Sequence, residues 1–549
     1  MKLLRLVASL TLTVSVGVSA SMSASNSQPG EEVITAVKNM GFPGPATQPP
    51  VGGEAQGPYK KLIIQNAYII DGAGAPVQGP VSIVIEKDRI VDIVGAGTGS
   101  LAIGAVQESA DTHVIDAKGK YVMPGFVNAH THFGTPSHLF GGGMTDPEYV
   151  AKLWLAHGIT TVREAGSLMG LGWTLDHKKM SEEGKIAAPR IVAHALFPEV
   201  ASDPKASRAW VRAVRKRGAD GIKFLGGSPE AVAAAIDEAH KLGMKTMFHH
   251  AQVAVARMNA VDSARLGLDS MEHWYGLPEA MFENKTVQDY PLDYKYNDEQ
   301  DRFAHAGRLW AQSAKPGSEI WNKTIKELID LDFTIDPTFS IYEANRDQPR
   351  AKRLEWMDEY TMPYILRAFE PNPKVHGSFH YDWTTGDEVA WRENFRIWMQ
   401  FINDFKNAGG RVTTGSDTGF IYGVYGFGYI RELELLQEAG FHPIEVVKSA
   451  TLNGAQLLGM DKDIGSIQIG KKADLVIVNE NPLRNFKVLY ATGHEFLNRD
   501  TGKLEKTKGI EATIKDGVVY DAEILRQQVK ALVSEQKARE AARAAAKAK

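Results

Sequence analysis

The stretch GFVNAHTHFG, residues 125–134, closes a short apolar run with His130 and His132 two positions apart. On a strand, residues i and i+2 point the same way, so this pair presents two imidazoles from one face and can hold one metal ion. Taken alone, the spacing reads equally well as two satisfied histidines among the sixteen in the chain. Four later apolar runs end in residues of the same chemical kind. GIKFLGG carries Lys223, MFHHAQ carries His249 and His250, SMEHW carries His273, and TTGSDTG carries Asp417. Lysine inside an apolar run needs a reason, because burying an unpaired ammonium is costly and depresses its pKa. A neutral lysine amine can add carbon dioxide to give a carbamate, an anion sized to bridge two divalent ions. The plainer account is a lysine reaching the barrel mouth, or one paired with Glu164 or Asp417.

The elements that must position these groups are legible as alternation. After the run ending in His130 and His132 come ITTVREAG, PRIVAHA, GADGIKFLGG, MKTMFHH, LDSMEHW, DFTIDPT and GGRVTTGSD, with helical intervals that include 228–242 and 390–408. Eight strand-helix repeats over more than 300 residues predict an α/β fold, a distorted (β/α)8 TIM barrel spanning 124–460, with its chemistry at the C-terminal ends of the strands. A doubly wound open sheet is the competing architecture. Short alternating strands flank the barrel at 60–123 and 461–525 and predict one small β-sandwich built from both flanks.

The pieces VMPGFVNAHTHFG, GITTVREAG, GADGIKFLGG, FHHAQ, DSMEHW, TTGSD, SATLNGAQLLG and GSIQIGKKADLVIV recur in order from about residue 62 to residue 520. In this series the sequence resembles the metal-dependent amidohydrolase superfamily, and within it the prolidase-like and imidazolonepropionase-like hydrolases. The resemblance implies that His130, His132 and Asp417 hold one ion, that His250 and His273 hold a second, and that Lys223 as a carbamate bridges them. His249 competes with His250 for the fifth-strand role; His250, followed by the small Ala251, is the expected ligand. Two divalent ions, with zinc suited to imidazole and carboxylate ligands, would share a hydroxide, and Asp417 would act as general base and then general acid on a C–N bond. Arg163 is expected to pair with Glu164 rather than touch substrate, and Tyr275 and His138 to line the mouth. Other readings are a one-metal deaminase or imidazolone-type hydrolase, which lacks the bridging lysine, a lactone or ester hydrolase, and an inactive binding or scaffold protein. Long insertions between His273 and strand seven, and between Pro337 and Asp417, are expected to wall the pocket.

The remaining sequence restricts the setting. The 549 residues, 43% hydrophobic and 23% charged with a net charge of -4, carry no basic stripe for nucleic acid, leaving a small-molecule substrate as the expected partner. Residues 1–24 have the three-part layout of a secretory signal, with an uncleaved anchor as the alternative, so an exported protein is expected, periplasmic or secreted and without a stable membrane span after cleavage. The chain has no cysteine, which fits export. Residues 25–59 read as a Pro/Gly-rich arm and 526–549 as a basic, solvated helical tail. A homo-oligomer is common in the resembled superfamily, though no residue here establishes one.

Overall fold

The computed structural model describes residues 53–95, 111–199, 201–252 and 254–547. The expected signal segment and most of the arm lie outside the described residues. Eight parallel strands follow one another in chain order: Phe126–Thr131, Ile159–Glu164, Arg190–Leu196, Gly221–Phe224, Lys245–Phe248, Ser270–Glu272, Thr334–Asp336 and Arg411–Val412, hereafter barrel strands 1 to 8. Backbone hydrogen bonds from Ala129 N to Thr414 O (2.8 Å) and from Asp417 N to His130 O (3.0 Å) join the two ends of this series. Asn128 adds a side-chain clasp, donating to Ser416 Oγ (2.8 Å) while its Oδ1 accepts the Ser416 N–H (3.0 Å). The strands are buried almost throughout, because helices cover them outside and the packed barrel covers them inside.

Helix starts are written into the sequence. Asp146-Pro147, Asp203-Pro204 and Ser228-Pro229 each open a barrel helix, the first residue's oxygen accepting N–H groups of the first turn and the proline presetting the helical φ. These starts fix where the loops after barrel strands 1, 3 and 4 end.

Strands from both flanks form one nine-stranded sheet. The join is Leu475–Val478, which pairs antiparallel with Tyr121–Pro124 on one side and Ile510–Lys515 on the other. Ile64, Ile83, Ile85, Leu475, Ile477 and Ile514 bury their side chains in a core separate from the barrel's, so the bulged sheet closes over its own interior as a sandwich. The described end of the arm is not free: Ala55–Gln56 pairs antiparallel with Tyr520 and Val519 at the sheet edge.

The C-terminal tail is docked along its first half, as far as Glu540, while residues 541–546 are exposed as expected. Helix Ala522–Lys547 buries Leu525, Val529 and Val533, and its charges meet the second insertion through Lys530–Glu359 (2.7 Å), Lys537–Asp358 (2.7 Å) and Arg367–Glu540 (2.7 Å). Among the described residues no helix is long and apolar enough to cross a membrane.

Candidate metal centre

The C-terminal ends of barrel strands 1, 6 and 8 converge on Asp417. Its Oδ1 lies 3.0 Å from His132 Nε2 and 3.5 Å from His130 Nε2, and its Oδ2 lies 3.7 Å from His273 Nε2. The donor atoms of His130, His273 and Asp417 all fall within 4.8 Å of one another. Burial pushes His130 and His273 well below the ordinary histidine range, so both rings are neutral and offer lone pairs. Thr338 fixes which nitrogen is offered: its hydroxyl donates to Pro337 O (2.6 Å) and therefore accepts from His273 Nδ1 (2.5 Å), leaving Nε2 bare toward Asp417. The Nδ1 atoms of His130 and His132 are buried without a partner. Three imidazoles around one carboxylate fit a divalent ion of the zinc kind.

Local backbone makes this convergence possible. His273 (φ 65) and Asp417 (φ 47) adopt the left-handed region, which few residues other than glycine enter without cost. At His273 the turn has a clear use. Neighbours on a regular strand face opposite ways, yet here Glu272 and His273 both enter the barrel interior. Gly415 must be glycine for a different reason, since a Cβ there would sit 2.3 Å from Asp336 Oδ2 and 2.6 Å from His130 Cβ.

Beneath the cluster lies a buried ionic chain that sequence reasoning missed. Lys223 Nζ donates to Glu272 Oε2 (2.6 Å), and Arg163 reaches Glu272 Oε1 (3.4 Å) and Asp336 Oδ2 (3.7 Å). Desolvation lowers the Lys223 pKa, while the Glu272 carboxylate opposes that fall. The partner of Lys223 is thus Glu272, and neither Glu164 nor Asp417 is within ion-pair distance. Glu272 stands in SMEHW directly before His273, where regular strand alternation would turn the two to opposite faces. The expected Arg163–Glu164 pair does not form, because alternation separates the two. Arg163 points inward, while Glu164 accepts the Phe133 N–H (2.6 Å) and burial raises its pKa to about 8.

On barrel strand 5 the two candidates separate by face. Lys223 registers beside Met247, so Met247 and then His249 follow the inward side, and Phe248 and His250 the outward side. His249 packs edge-on against His273, with ring centroids 4.7 Å apart. His250 stacks on Phe248 (4.2 Å) and places Nε2 at 2.8 Å from Ser263 Oγ on helix Ala260–Arg265. The structure therefore turns His250, the expected ligand, away from the cluster.

The mouth residues also resolve. His138 Nε2 donates to Gly419 O (2.8 Å) and Nδ1 accepts from Thr145 (2.6 Å), a fully buried strut between the loops after strands 1 and 8. Tyr275 is buried beside His249, with centroids 5.7 Å apart. The insertions do wall the site. Phe303 from the first insertion meets Tyr342 from the second, and Tyr342 lies edge-on to His273 at 5.4 Å. Phe420, absent from the expected residues, stands edge-on to His132 at 5.6 Å. Many remaining insertion aromatics, such as Trp310, Trp321 and Trp391, are core.

Residues 398–520 match the family model described as the amidohydrolase family. Two curated relatives are a 5-methylthioadenosine/S-adenosylhomocysteine deaminase of Thermococcus onnurineus, 41% identical over 81 residues, and a 5'-deoxyadenosine deaminase of Methanosarcina mazei, 40% identical over 117 residues. Those stretches cover 15% and 20% of this chain and only 16% and 24% of the relatives. Among solved structures, a Xaa-Pro dipeptidase with methionine bound in its active site superposes with a TM-score of 0.53, 22% identical, over 84% of this chain and 100% of its own. The ochratoxinase of A. niger gives 0.54 at 16% identity over 85% and 96%, and bottromycin amidohydrolase 0.56 at 18% over 88% and 91%. At these identities the superpositions establish a shared fold, barrel and flanking sheet together.

Proposed function

We infer that the chain is a member of the amidohydrolase superfamily and acts as a metal-dependent hydrolase of carbon–nitrogen bonds in small amide or peptide-like substrates. The observation that carries this reading is the convergence of His130, His132 and His273 on the two oxygens of Asp417 at the catalytic end of the barrel. His130 and His132 with Asp417 Oδ1 would hold one ion, and His273 with His249, in place of His250, a second; carbamylation of Lys223, which would end its ion pair with Glu272, would supply a further anionic ligand. Divalent ions there supply Lewis acidity, acidifying water and polarising the amide carbonyl. Asp417 takes the proton of the attacking water and returns it to the leaving nitrogen. Tyr342, Tyr275 and Phe420 exclude bulk water around that exchange, which strengthens each charge interaction within it. The Xaa-Pro dipeptidase and amidohydrolases of the same fold support an amide substrate. Export, read from residues 1–24, belongs to the same proposal.

A deaminase holding one ion is the second reading, favoured by the local identity to the two deaminases. Lys223 on barrel strand 4 speaks against it. Elemental analysis of protein purified without chelator separates the two: about two divalent ions per chain supports the binuclear hydrolase, and one supports the deaminase. Asp417→Asn should fold normally and lose at least roughly a hundredfold in kcat on N-acyl amino acids; unchanged turnover would remove Asp417 from the chemistry.

A further inference from the structure

Thr338 immediately precedes a short 3-10 turn, Phe339–Asn345, that leads from barrel strand 7 into the second insertion. A threonine in that place ordinarily caps the turn, its backbone extended and its hydroxyl accepting N–H groups of the first residues. Thr338 does neither. Its side chain makes no capping bond, and its backbone lies in the left-handed region (φ 51, ψ 45), which a β-branched residue enters only where its surroundings compel it. The hydroxyl is spent instead on Pro337 O and His273 Nδ1.

The capping is done from another element. Glu432, on helix Phe427–Glu438 after barrel strand 8, accepts the Phe339 N–H at Oε1 (2.9 Å) and the Ser340 N–H at Oε2 (2.7 Å). It is fully buried, so these two donors have a partner where water does not reach, and the turn can form without help from Thr338. Both bonds fall on the two peptide groups that follow Thr338, where they hold its unusual backbone in place.

The helix that carries Glu432 is itself fixed against this turn and against the Asp417 loop. Arg431 reaches Glu343, at the far end of the turn, with Nε (2.8 Å) and Nη2 (2.6 Å). Gly428, in the first turn of the helix, approaches Thr418 so closely that a Cβ there would sit 2.5 Å from Thr418 Cγ2. The Ser340 hydroxyl donates to Ser416 O (3.3 Å), beside Asp417. One buried carboxyl thus stands where the loops carrying His273 and Asp417 are tied together.

We propose that Glu432 is a positioning residue for the metal centre: by capping the turn it frees the Thr338 hydroxyl to hold His273 with Nε2 toward Asp417. This rests on the hydrolase reading above and adds to it a residue that acts through Thr338 alone. Without the second acceptor of Glu432, Thr338 relaxes to the ordinary cap, its hydroxyl turns to the N–H groups of its own turn, and His273 Nδ1 loses the partner that orients the ring.

Cobalt titration of the full-length protein, followed by the visible absorption of bound Co2+, reads the affinity and geometry of the site independently of turnover. Glu432→Gln keeps one acceptor and turns an amide NH2 toward the other N–H, while Thr338→Val keeps the shape and removes the hydroxyl. Each should weaken cobalt binding about tenfold or more and alter the absorption. Because both act on one hydrogen bond, the double variant should be no weaker than either single one, and Thr338→Ser, which restores the hydroxyl, should recover most of the affinity. Arg431→Met breaks only the outer fastening of the turn and should lower the melting temperature with cobalt affinity unchanged. Glu432→Asp, which withdraws the carboxylate by one carbon, takes the place of Glu432→Gln in the cycle if that variant does not fold. Wild-type affinity in the Glu432 variant, full additivity in the double variant, or an equal loss in Arg431→Met would overturn the role of Glu432. Failure of the hydrolase reading is seen separately. Wild-type protein that takes up no cobalt would remove both, and protein that takes it up and hydrolyses no amide while the cycle holds would remove the hydrolase alone.

Discussion

At the scale of single residues, two adjacent histidines have opposite fates. His249 faces His273, and His250 faces Ser263. His249→Ala should therefore cost bound metal and activity with little change in melting temperature. His250→Ala should keep its metal and lose about 1 to 3 kcal/mol of stability, through the lost hydrogen bond and ring stack. Metal analysis beside thermal melts checks both, and a metal-depleted His250→Ala would restore His250 as the ligand. Sequence reading reached His130, His132, His273 and Asp417 because each ends its own apolar run. It put His250 rather than His249 on the inward face because a shift of one residue on a strand exchanges the faces, and MFHHAQ contains nothing that fixes register. Glu272 was hidden by the left-handed turn at His273, which no local residue type announces. Glu164 gives a prediction in pH. Its carboxyl is raised from 4.5 to about 8, so the stability of the neutral form is fully present below pH 4.5 and lost as pH rises through about 8. Glu164→Gln, which does not titrate, should show a smaller fall in melting temperature than wild type between pH 5 and 8. Equal slopes would mean that Glu164 does not govern this range.

At the scale of elements, the strands were legible because each is specified locally by an apolar run; the helix expected over 228–242 is Pro229–Lys241, while the one expected over 390–408 begins earlier, at Thr385. The docking of the tail was not legible. RQQVKALVSEQKAREAARAAAKAK has the composition of a solvated helix, yet Val529 and Val533 are buried and its charges are spent on Glu359, Asp358 and Arg367 of the second insertion. Docking depends on a partner more than 150 positions away, which no window of local sequence contains. The same insertion segment reaches the site from its other side, where Arg367 Nε donates to Gly141 O (2.7 Å) in the loop following barrel strand 1. Deleting residues 526–549 removes two buried valines, worth about 1.5 to 3 kcal/mol each, and releases that segment. The shortened protein should melt several degrees lower and show a raised KM with kcat less affected, measured on the substrate found for the full chain. A lowered melting temperature with KM unchanged would confine the helix to a structural role.

At the scale of the whole molecule, the barrel and the flanking sheet are joined through charge as well as apolar area, and the junction lies at the end of the barrel opposite the metal cluster. Arg190, at the start of barrel strand 3, places Nη1 at 2.6 Å from Asp474 Oδ2 and Nη2 at 2.5 Å from Asp516 Oδ1, both belonging to the sheet. Asp474 is 2% exposed, and its Oδ1 also accepts the Asp516 N–H (2.8 Å). A buried pair of this kind contributes little net stability over an apolar replacement, but removing one member strands the other charge. Arg190→Leu should therefore cost about 3 to 5 kcal/mol in denaturant unfolding, because Asp474 is left without its counter-ion. Adding Asp474→Asn removes the stranded charge and should recover a large part of that loss, whereas Asp474→Asn alone should be destabilising. This pattern of one costly single change and a partly restored double change is the signature of direct coupling between contacting groups. Metal content, set at the far ends of the strands, should be unchanged in the folded variants. If the two single costs simply add in the double variant, then apolar packing between barrel and sheet, rather than Arg190, holds the two layers in register.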